Sequence, residues 1–208
     1  MNPHQSLEVE ARESGYRGWI LGVDEVGRGP LAGPATVACV AFPCECDAEF
    51  PLFAELDDSK KLTARRRDRL VPRIEASSVA WALLDVSPEK IDELNILHAC
   101  LWGMRQVVRE VAGRLGGGEI RVFVDGNQRI PELEWAQTPY VKGDARSWSI
   151  AAASILAKVH RDALMVEYDA LYPGYGFASN VGYPTAAHRA ALRELGPTPI
   201  HRRSFHVK

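Results

Sequence analysis

Five short apolar segments along the chain have the length and composition of β-strands. They are rich in β-branched residues and are bounded by glycine, proline or polar residues, a pattern typical of buried strands. They cover about residues 18–24, 34–42, 79–86, 119–124 and 138–141. Only a turn rich in glycine and proline separates the first two segments, so we predict that they pair as a hairpin.

The segments between the later strands have helical period and recognisable helix starts. Thr63 and Asn95 are candidate N-caps, and Pro88 occupies a favoured first helical position. The predicted helices cover about residues 64–76, a short segment from 88, and residues 96–115, 147–171 and 184–195. This order of strands and helices predicts an α/β fold with a mixed five-stranded sheet flanked by helices.

The sequence indicates one domain that follows a polar amino-terminal segment. Residues 1–17 show no clear period, and we expect a flexible tail there. Residues 18–208 have the length of a single domain and contain no repeat or linker. No apolar run approaches the roughly 20 residues of a membrane helix, and the start lacks a signal peptide's apolar core. We therefore expect a cytoplasmic protein without membrane contact, and a monomer.

Charge and cysteine content limit the functions to consider. The net charge is −2, so a nucleic-acid-binding protein of this composition needs a local basic patch. The four cysteines lack the paired spacing of a zinc site. Of these, Cys44 and Cys46 are a lone close pair, which we interpret as incidental surface thiols.

Acidic residues follow two of the predicted strands. Asp24 and Glu25 come directly after the apolar residues 20–23, and Asp125 follows the strand over 119–124. Asp144 precedes the long helix, where it could equally serve as a cap or a partner of the helix dipole. A set of oxygen ligands without histidine or cysteine suits Mg²⁺ or Mn²⁺, and two such ions can hold a phosphodiester and activate water. Spacing alone indicates a metal-dependent nuclease or phosphatase.

A loop rich in glycine follows the first acidic pair. Gly27, Arg28 and Gly29 could present backbone amides and a guanidinium to a phosphate or sugar. A dinucleotide-binding fingerprint would require a helix after the loop, whereas residues 34–42 have strand character. A non-enzymatic nucleic-acid binder, in which the acids only cap strands and helices, stays open as an alternative.

Three other segments offer possible contacts to a polyanion. Lys60 and Lys61 precede a helix with five arginines, which could track a phosphate backbone or form a solvated, salt-bridged face. The loop over 171–183 is rich in tyrosine and glycine, and its aromatic rings could stack on a sugar or base or pin the loop to the core. The basic segment 201–208 could contact a phosphate or tie down the terminus.

Eight segments, in order, resemble the motifs of the type 2 ribonucleases H, the ribonuclease HII family. They are DEVGRGPL at 24–31, LDDSKKLT at 56–63, ELNILHA at 93–99, VDGN at 124–127, KGD at 142–144, AASILAKV at 152–159, GYPT at 182–185 and HRRSF at 201–205. The resemblance implies a ribonuclease H-like sheet with a helical carboxy-terminal part. It also implies hydrolysis of RNA in RNA/DNA hybrids and incision 5′ of single ribonucleotides in duplex DNA, which leaves 3′-hydroxyl and 5′-phosphate ends, in a pathway of ribonucleotide removal.

The resemblance also implies roles for individual residues. Those matching the family's metal-binding quartet, and so expected to be catalytic with two Mg²⁺ or Mn²⁺ ions, are Asp24, Glu25, Asp125 and Asp144. Those expected to bind substrate are Gly27, Arg28 and Gly29 at the ribonucleotide 2′-hydroxyl, Tyr183 on the adjoining deoxynucleotide sugar, and Lys60 and Lys61. The glycine loop and Tyr183 argue against an HI-type ribonuclease H, which acts only on longer hybrids. The chain departs from the family's usual pattern at Asn180-Val181 and at Ala151.

Overall fold

A five-stranded sheet forms the centre of the protein in the computed structural model, which describes residues 6–43 and 48–205. The strands are β1 (Trp19–Val26), β2 (Ala35–Ala41), β3 (Ala80–Val86), β4 (Ile120–Asp125) and β5 (Ala136–Tyr140), in the sheet order β3-β2-β1-β4-β5. β2 is antiparallel to both β1 and β3, whereas β1 and β4, and β4 and β5, run parallel. The predicted mixed sheet and its hairpin of β1 and β2 are confirmed.

Helices cover both faces of this sheet. They are α1 (Leu7–Glu13), α2 (Ala64–Ser77), α3 (Pro88–Leu94), α4 (Ile96–Arg114), α5 (Trp148–Leu171), α6 (Phe177–Asn180) and α7 (Ala186–Leu195). β2 shows the layering most clearly, because Val37 and Cys39 pack with α4 while Ala38 and Val40 pack with α2 and α5. Every residue of β2 is buried. A continuous apolar run is what a strand covered on both faces requires.

Helix α5 lies unusually close to β1. A Cβ placed on Gly22 would stand 2.2 Å from the backbone nitrogen of Ile150, so only glycine permits this approach. Ala151, at one of the two departures from the family pattern, is fully buried among apolar residues. Alanine at this position leaves no buried hydroxyl that would need a partner. The close contact fixes the start of α5 against the centre of the sheet.

The expectation of a flexible tail over residues 1–17 is wrong for the described residues 6–17. Ser6 caps α1 by accepting a hydrogen bond from the backbone nitrogen of Val9, and Leu7 and Ala11 are buried. The carboxylate of Glu8 is also buried. It accepts hydrogen bonds of 2.5–3.1 Å from the hydroxyls of Ser147 and Ser149 and the amides of Trp148 and Ser149. The amino-terminal segment therefore caps α5; residues 1–5 lie outside the described part of the chain.

Replacing Glu8 with alanine is expected to lower the free energy of unfolding by about 3 kcal/mol. The change leaves buried donors at the start of α5 unpaired, and each such group costs about 1–3 kcal/mol. Chemical denaturation measures the loss. Glu10→Ala is the matched control, because Glu10 lies on the same helix and is exposed. Equal stability of the two variants would contradict the capping role.

An ion pair joins the end of β3 to α5. Asp85 accepts a hydrogen bond of 2.5 Å from the hydroxyl of Thr36, and its other oxygen lies 2.7 Å from Nε2 of His160. The hydrogen bond to Asp85 raises the pKa of His160 above its usual value. Burial acts to raise the pKa of Asp85, but the hydrogen bonds from His160 and Thr36 outweigh it and hold that pKa below its usual value.

These two shifts predict a stability contribution confined to a window of pH. The raised pKa of His160 means that its contribution is complete below about pH 6.5 and is lost as the pH rises through the folded-state pKa. The lowered pKa of Asp85 means that its contribution is present above about pH 3.9 and is lost as the pH falls. We expect His160→Gln to lower Tm more at pH 6 than at pH 9. His98→Gln, at an exposed histidine, is the control, and a Tm difference for His160→Gln that does not vary with pH would contradict the assignment.

The segment after α5 contains a short helix, α6, where the sequence predicted only a loop. Phe177 of α6 is fully buried with Ala32, Met165 and Tyr175 in a separate apolar cluster. Four residues are too few for a helical period to be visible in the sequence. The helical carboxy-terminal part expected from the resemblance is therefore present.

Cys39 and Cys100 are buried free thiols, whereas Cys44 and Cys46, interpreted as surface thiols, lie outside the described residues.

Candidate active site

The four acidic residues singled out in the sequence converge on one edge of the sheet. β1 and β4 are parallel neighbours with Val23 paired to Val124, so Asp24 and Asp125 occupy adjacent strands at the same level. β1 continues to Val26, so Asp24 and Glu25 lie among its last residues rather than after its end. Asp144 reaches the same edge from a 3₁₀ turn, Gly143–Ala145.

The 3₁₀ turn is tied directly to the end of β4. The backbone amides of Gly143 and Asp144 donate to Oδ1 of Asp125 at 2.7 and 3.3 Å. A Cβ on Gly143 would lie 3.3 Å from the same oxygen. Asp125 therefore orders the turn that carries Asp144, and the alternative that Asp144 serves as the cap of α5 is not supported, because Ser147 and Glu8 occupy that position.

Burial, with a contribution from neighbouring acids, raises the pKa values of these carboxyl groups. Burial, followed by the charges of Glu25 and Asp125, raises the pKa of Asp24 well above its usual value. Burial also raises the pKa of Glu25 to about 7, against the opposing charge of Arg28. Burial and the charges of Asp125 and Asp58 raise the pKa of Asp144 to about 6. The protein thus places more negative charge at this edge than its own cations neutralise.

The donor set fits a hard divalent cation. Carboxylate oxygens are the ligands that Mg²⁺ and Mn²⁺ prefer, and a cation would offset the burial and the repulsion that raise these pKa values. Within the described ranges, no three histidine, cysteine, aspartate or glutamate side chains already form a cluster arranged to hold an ion. The four carboxylates lie at one edge, but their side chains would have to close around a cation.

A cavity of about 290 Å³ separates the acids from the glycine loop. Its lining includes Asp24, Glu25, Asp125, the loop residues Gly27, Arg28 and Gly29, and Ser59, Lys60, Ser154, Lys158 and Tyr183. Asp144 is not part of this lining, although its backbone amide contacts Asp125. Nearly every residue expected to act on substrate from the sequence therefore faces one cavity, which is large enough to admit part of a nucleotide.

The glycine loop contributes one guanidinium to the cavity, and the segment between α6 and α7 contributes one aromatic ring. Nη1 of Arg28 lies 3.2 Å from Oε1 of Glu25, and the Arg28 side chain is 51% exposed. A Cβ on Gly29 would stand 3.3 Å from Cε1 of Tyr183, so the tyrosine ring lies directly over this glycine. The loop leads into strand β2, as expected, and the dinucleotide-binding alternative therefore lacks its helix.

The two lysines that the sequence analysis grouped together, Lys60 and Lys61, lie in different surroundings. Lys60 lines the cavity, where burial acts to lower its pKa, but the charges of Asp24, Asp58 and Asp144 raise it above the usual value overall. Lys61 lies outside the cavity lining, is 59% exposed and pairs with Asp57 at 3.3 Å. Lys60 therefore lines the cavity and Lys61 does not; contact of either lysine with substrate stays a prediction.

The described contacts of the α2 arginines favour a salt-bridged face over one that tracks a phosphate backbone. Arg73 pairs with Glu55 at 2.5 Å, and Arg69 approaches the same carboxylate at 3.9 Å. Arg67 donates to the carbonyl oxygens of Ser59 and Leu62 and so braces the segment that carries Lys60.

Sequence reasoning missed several residues of the cavity. Ser59 and Ser154 share a hydrogen bond of 2.9 Å, and both line the cavity together with Asp24. Lys158 lines the cavity and pairs with Asp162 at 2.8 Å. Both serines lie in motifs that carried the family resemblance, but a serine has no charge or period that marks a role. Only the packing of the segment before α2 against α5 brings residues 59 and 154 together.

The sheet order, the parallel central strands and the acids at their ends define a nuclease with a ribonuclease H-like fold. A chain of the PCNA:RNase HII complex from Archaeoglobus fulgidus matches with a TM-score of 0.71 and 26% identity, covering 91% of this chain and 96% of that one.

None of the described helices is long and apolar enough to cross a membrane.

Sequence comparison identifies the family within this class. The family described as Ribonuclease HII matches residues 21–208. The ribonuclease HII of Moorella thermoacetica is 53% identical over 186 residues, which is 89% of this chain and 85% of the relative. That of Paracoccus denitrificans is 50% identical over 203 residues, or 98% of this chain and 91% of the relative. The chain belongs to the ribonuclease HII family and is an endoribonuclease of the ribonuclease H type, a phosphodiester hydrolase acting on nucleic acid.

Proposed function

We propose that the protein incises duplex DNA on the 5′ side of single embedded ribonucleotides and hydrolyses the RNA strand of RNA/DNA hybrids, with Mg²⁺ or Mn²⁺ as cofactor. One observation carries the proposal: the crowded carboxylates and the loop of Gly27, Arg28 and Gly29 face the same cavity. A strand in this cavity can then be cleaved at the carboxylates while the glycine loop recognises the sugar of an adjacent nucleotide. The protein's role is removal of ribonucleotides from DNA during replication and repair.

The cations would be held by Asp24, Glu25, Asp125 and Asp144. When bound, two such ions supply an activated water and neutralise the leaving 3′ oxygen. Asp125 accepts hydrogen bonds from the Gly143 and Asp144 amides, which orient this ligand, and Asp24 accepts one from the Glu25 amide. Lys60 and Lys158 line the cavity, and their ammonium groups would contact the phosphates of the cleaved strand.

The residues that would recognise the ribonucleotide, the glycine loop and Tyr183, lie across the cavity from the carboxylates. Only the 2′-hydroxyl distinguishes RNA from DNA at the cleavage site, and backbone amides or carbonyls of the glycine loop can hydrogen-bond to it at close range. Arg28 is exposed enough to reach an adjoining phosphate. The Tyr183 ring lies beside Gly29 and would stack on the sugar of the following deoxynucleotide.

Cleavage of three matched duplexes tests this function: one with a single ribonucleotide, one long RNA/DNA hybrid and one of DNA alone, each with Mg²⁺, Mn²⁺ or chelator. We expect cleavage of the first two with either metal and of none with chelator. Binding of Mn²⁺, followed by calorimetry, should weaken in Asp125→Asn. Cleavage in chelator, or of the all-DNA duplex at a similar rate, would contradict the proposal. Cleavage of the long hybrid alone would instead favour the HI-type alternative.

A further inference from the structure

Two buried arginines lie directly behind the glycine loop. Arg161 of α5 is 0% exposed and Arg202, near the carboxyl end, is 2% exposed. Neither forms an ion pair with a carboxylate among the described residues; their guanidinium groups donate to backbone carbonyls. The hydrogen bonds run from Arg202 to Gly27 (2.6 Å), Gly33 (3.0 Å), Pro34 (3.0 Å) and Arg28 (3.1 Å), and from Arg161 to Pro34 (2.9 Å), Val181 (3.0 Å) and Ala32 (3.2 Å).

Burial of two cations without carboxylate partners is costly unless hydrogen bonds compensate it. Burial, together with repulsion from Arg161, lowers the pKa of Arg202 to about 9, so Arg202 stays charged at neutral pH. Burial likewise lowers the pKa of Arg161. Residues 27–34 connect β1 and β2 outside the sheet, and five of their carbonyls accept hydrogen bonds from the two guanidiniums. Together with the bridge between Ala32 and His201, these bonds fix the path of the loop.

The contact at Gly27 shows how closely the loop is built on these side chains. Gly27 has φ of +95°, and a Cβ there would lie 2.3 Å from Nε of Arg161. Arg202 holds the carbonyls of Gly27 and Arg28 from the other side. The peptide groups that face the substrate cavity are thus fixed by donors on their buried side.

The same scaffold extends to Tyr183. Arg161 donates to the carbonyl of Val181, and the carbonyl of Gly182 accepts from the amide of Leu31 at 2.8 Å. Asn180, one of the departures from the family pattern, accepts from the Gly182 amide at 2.8 Å and closes this turn. The loop and the tyrosine segment therefore form one hydrogen-bonded unit.

We propose that Arg161 and Arg202 are positioning residues for ribonucleotide recognition, which fix the loop of residues 27–34 and the Tyr183 segment in a single relative geometry. The proposal rests on the proposed function, in which this loop and Tyr183 read the junction between ribonucleotide and DNA. The two arginines touch no substrate themselves. Their loss should therefore affect selection of an embedded ribonucleotide more than hydrolysis of a long hybrid, where many registers along the strand are productive.

The first test measures kcat/KM of Arg202→Met and Arg202→Lys on a single-ribonucleotide duplex and on a long hybrid. We expect the ratio of the two values to fall about tenfold or more in Arg202→Met. Arg202→Lys should recover only part of it, because an ammonium lacks the planar fork of donors that spans four carbonyls. Full recovery by lysine would overturn the proposal, since charge alone would then be sufficient.

Arg12→Met is the matched control. Arg12 also donates to backbone carbonyls, those of Tyr16 at 3.2 Å and Gly18 at 2.8 Å, but at the opposite end of β1 from the cavity. We expect this variant to lose some stability and to keep the wild-type ratio. A fall in the ratio as large as that of Arg202→Met would show that general destabilisation is the cause and would overturn the proposal.

A binding measurement separates this inference from the function on which it rests. In an Asp125→Asn background, fluorescence anisotropy compares affinity for a single-ribonucleotide duplex with that for the same duplex of DNA alone. Equal affinity of the Asp125→Asn protein for the two duplexes would count against the proposed function. A preference in the parent that survives Arg202→Met would overturn the positioning role while leaving the function intact. If Arg202→Met fails to fold by circular dichroism, Arg202→Lys, which keeps length and charge, carries the same comparison.

Discussion

Replacing Asp24 with asparagine is expected to lower turnover about 1,000-fold or more with the fold intact. Asp24 lies at the centre of the acidic edge, 5% exposed, between Glu25 and Asp125. A metal ion contributes several kcal/mol of charge stabilisation to a phosphoryl transition state, and each 1.36 kcal/mol corresponds to about tenfold in rate. Single-turnover cleavage of a ribonucleotide-containing duplex measures the loss.

The same substitution should leave stability unchanged or raise it. A neutral amide of the same shape removes one of the buried charges that repel each other at this edge. Thermal unfolding in chelator tests this, with Asp68→Asn, at an exposed aspartate of α2 that is not part of the cavity lining, as the control for both activity and Tm. A normal circular dichroism spectrum together with undiminished activity in Asp24→Asn would defeat the assignment of the acidic edge as the catalytic centre.

Replacing Tyr183 with alanine is expected to reduce incision at a single embedded ribonucleotide about 10- to 100-fold. The ring is 43% exposed and lies beside Gly29 at the cavity, a position suited to stacking. Aromatic stacking on a nucleotide contributes about 1–3 kcal/mol, which sets the scale of the effect. The loss on a long hybrid should be smaller, because there the adjoining sugar is a ribose and the enzyme can bind in many registers.

Two variants make this experiment specific. Tyr183→Phe keeps the ring and should retain most of the activity on the single ribonucleotide. Tyr172→Ala removes a tyrosine of the same segment that packs near Tyr168 outside the cavity, and it should not change the preference between substrates. Equal losses on both substrates in Tyr183→Ala would count against a role in reading the junction.

The sheet could be predicted from the sequence because its signals are local. Each strand is a short apolar run bounded by turn residues, and β1 and β4 each carry an acid near the end. Helix α1 has seven residues, as α3 does, but it lacks the proline that marks the start of α3, and its apolar positions are too few to show a period. Glu8 resembles any polar residue of a tail; its burial depends on the start of α5, which lies far along the chain.

The residues of the site likewise divide into those with a local signal in the sequence and those whose role depends on distant parts of the chain. The four acids and the glycine loop were visible because their residue types imply chemistry wherever the fold places them. The basic carboxy-terminal segment allowed two interpretations, contact with a phosphate or anchorage of the terminus, and Arg202 follows the second by binding the glycine loop. Lys60 and Lys61 are equivalent in sequence, and only the path of the chain after residue 56 directs one into the cavity and the other toward Asp57.

The position of the cut in a DNA duplex that contains one ribonucleotide is the most direct test of how this site works. An end-labelled strand, incubated with Mg²⁺ or Mn²⁺ and separated at single-nucleotide resolution, should show one incision on the 5′ side of the ribonucleotide, with 3′-hydroxyl and 5′-phosphate ends. Chelator should abolish it. Incision elsewhere, or none with either metal while long hybrids are cut, would contradict the recognition of the ribonucleotide junction by the glycine loop and Tyr183.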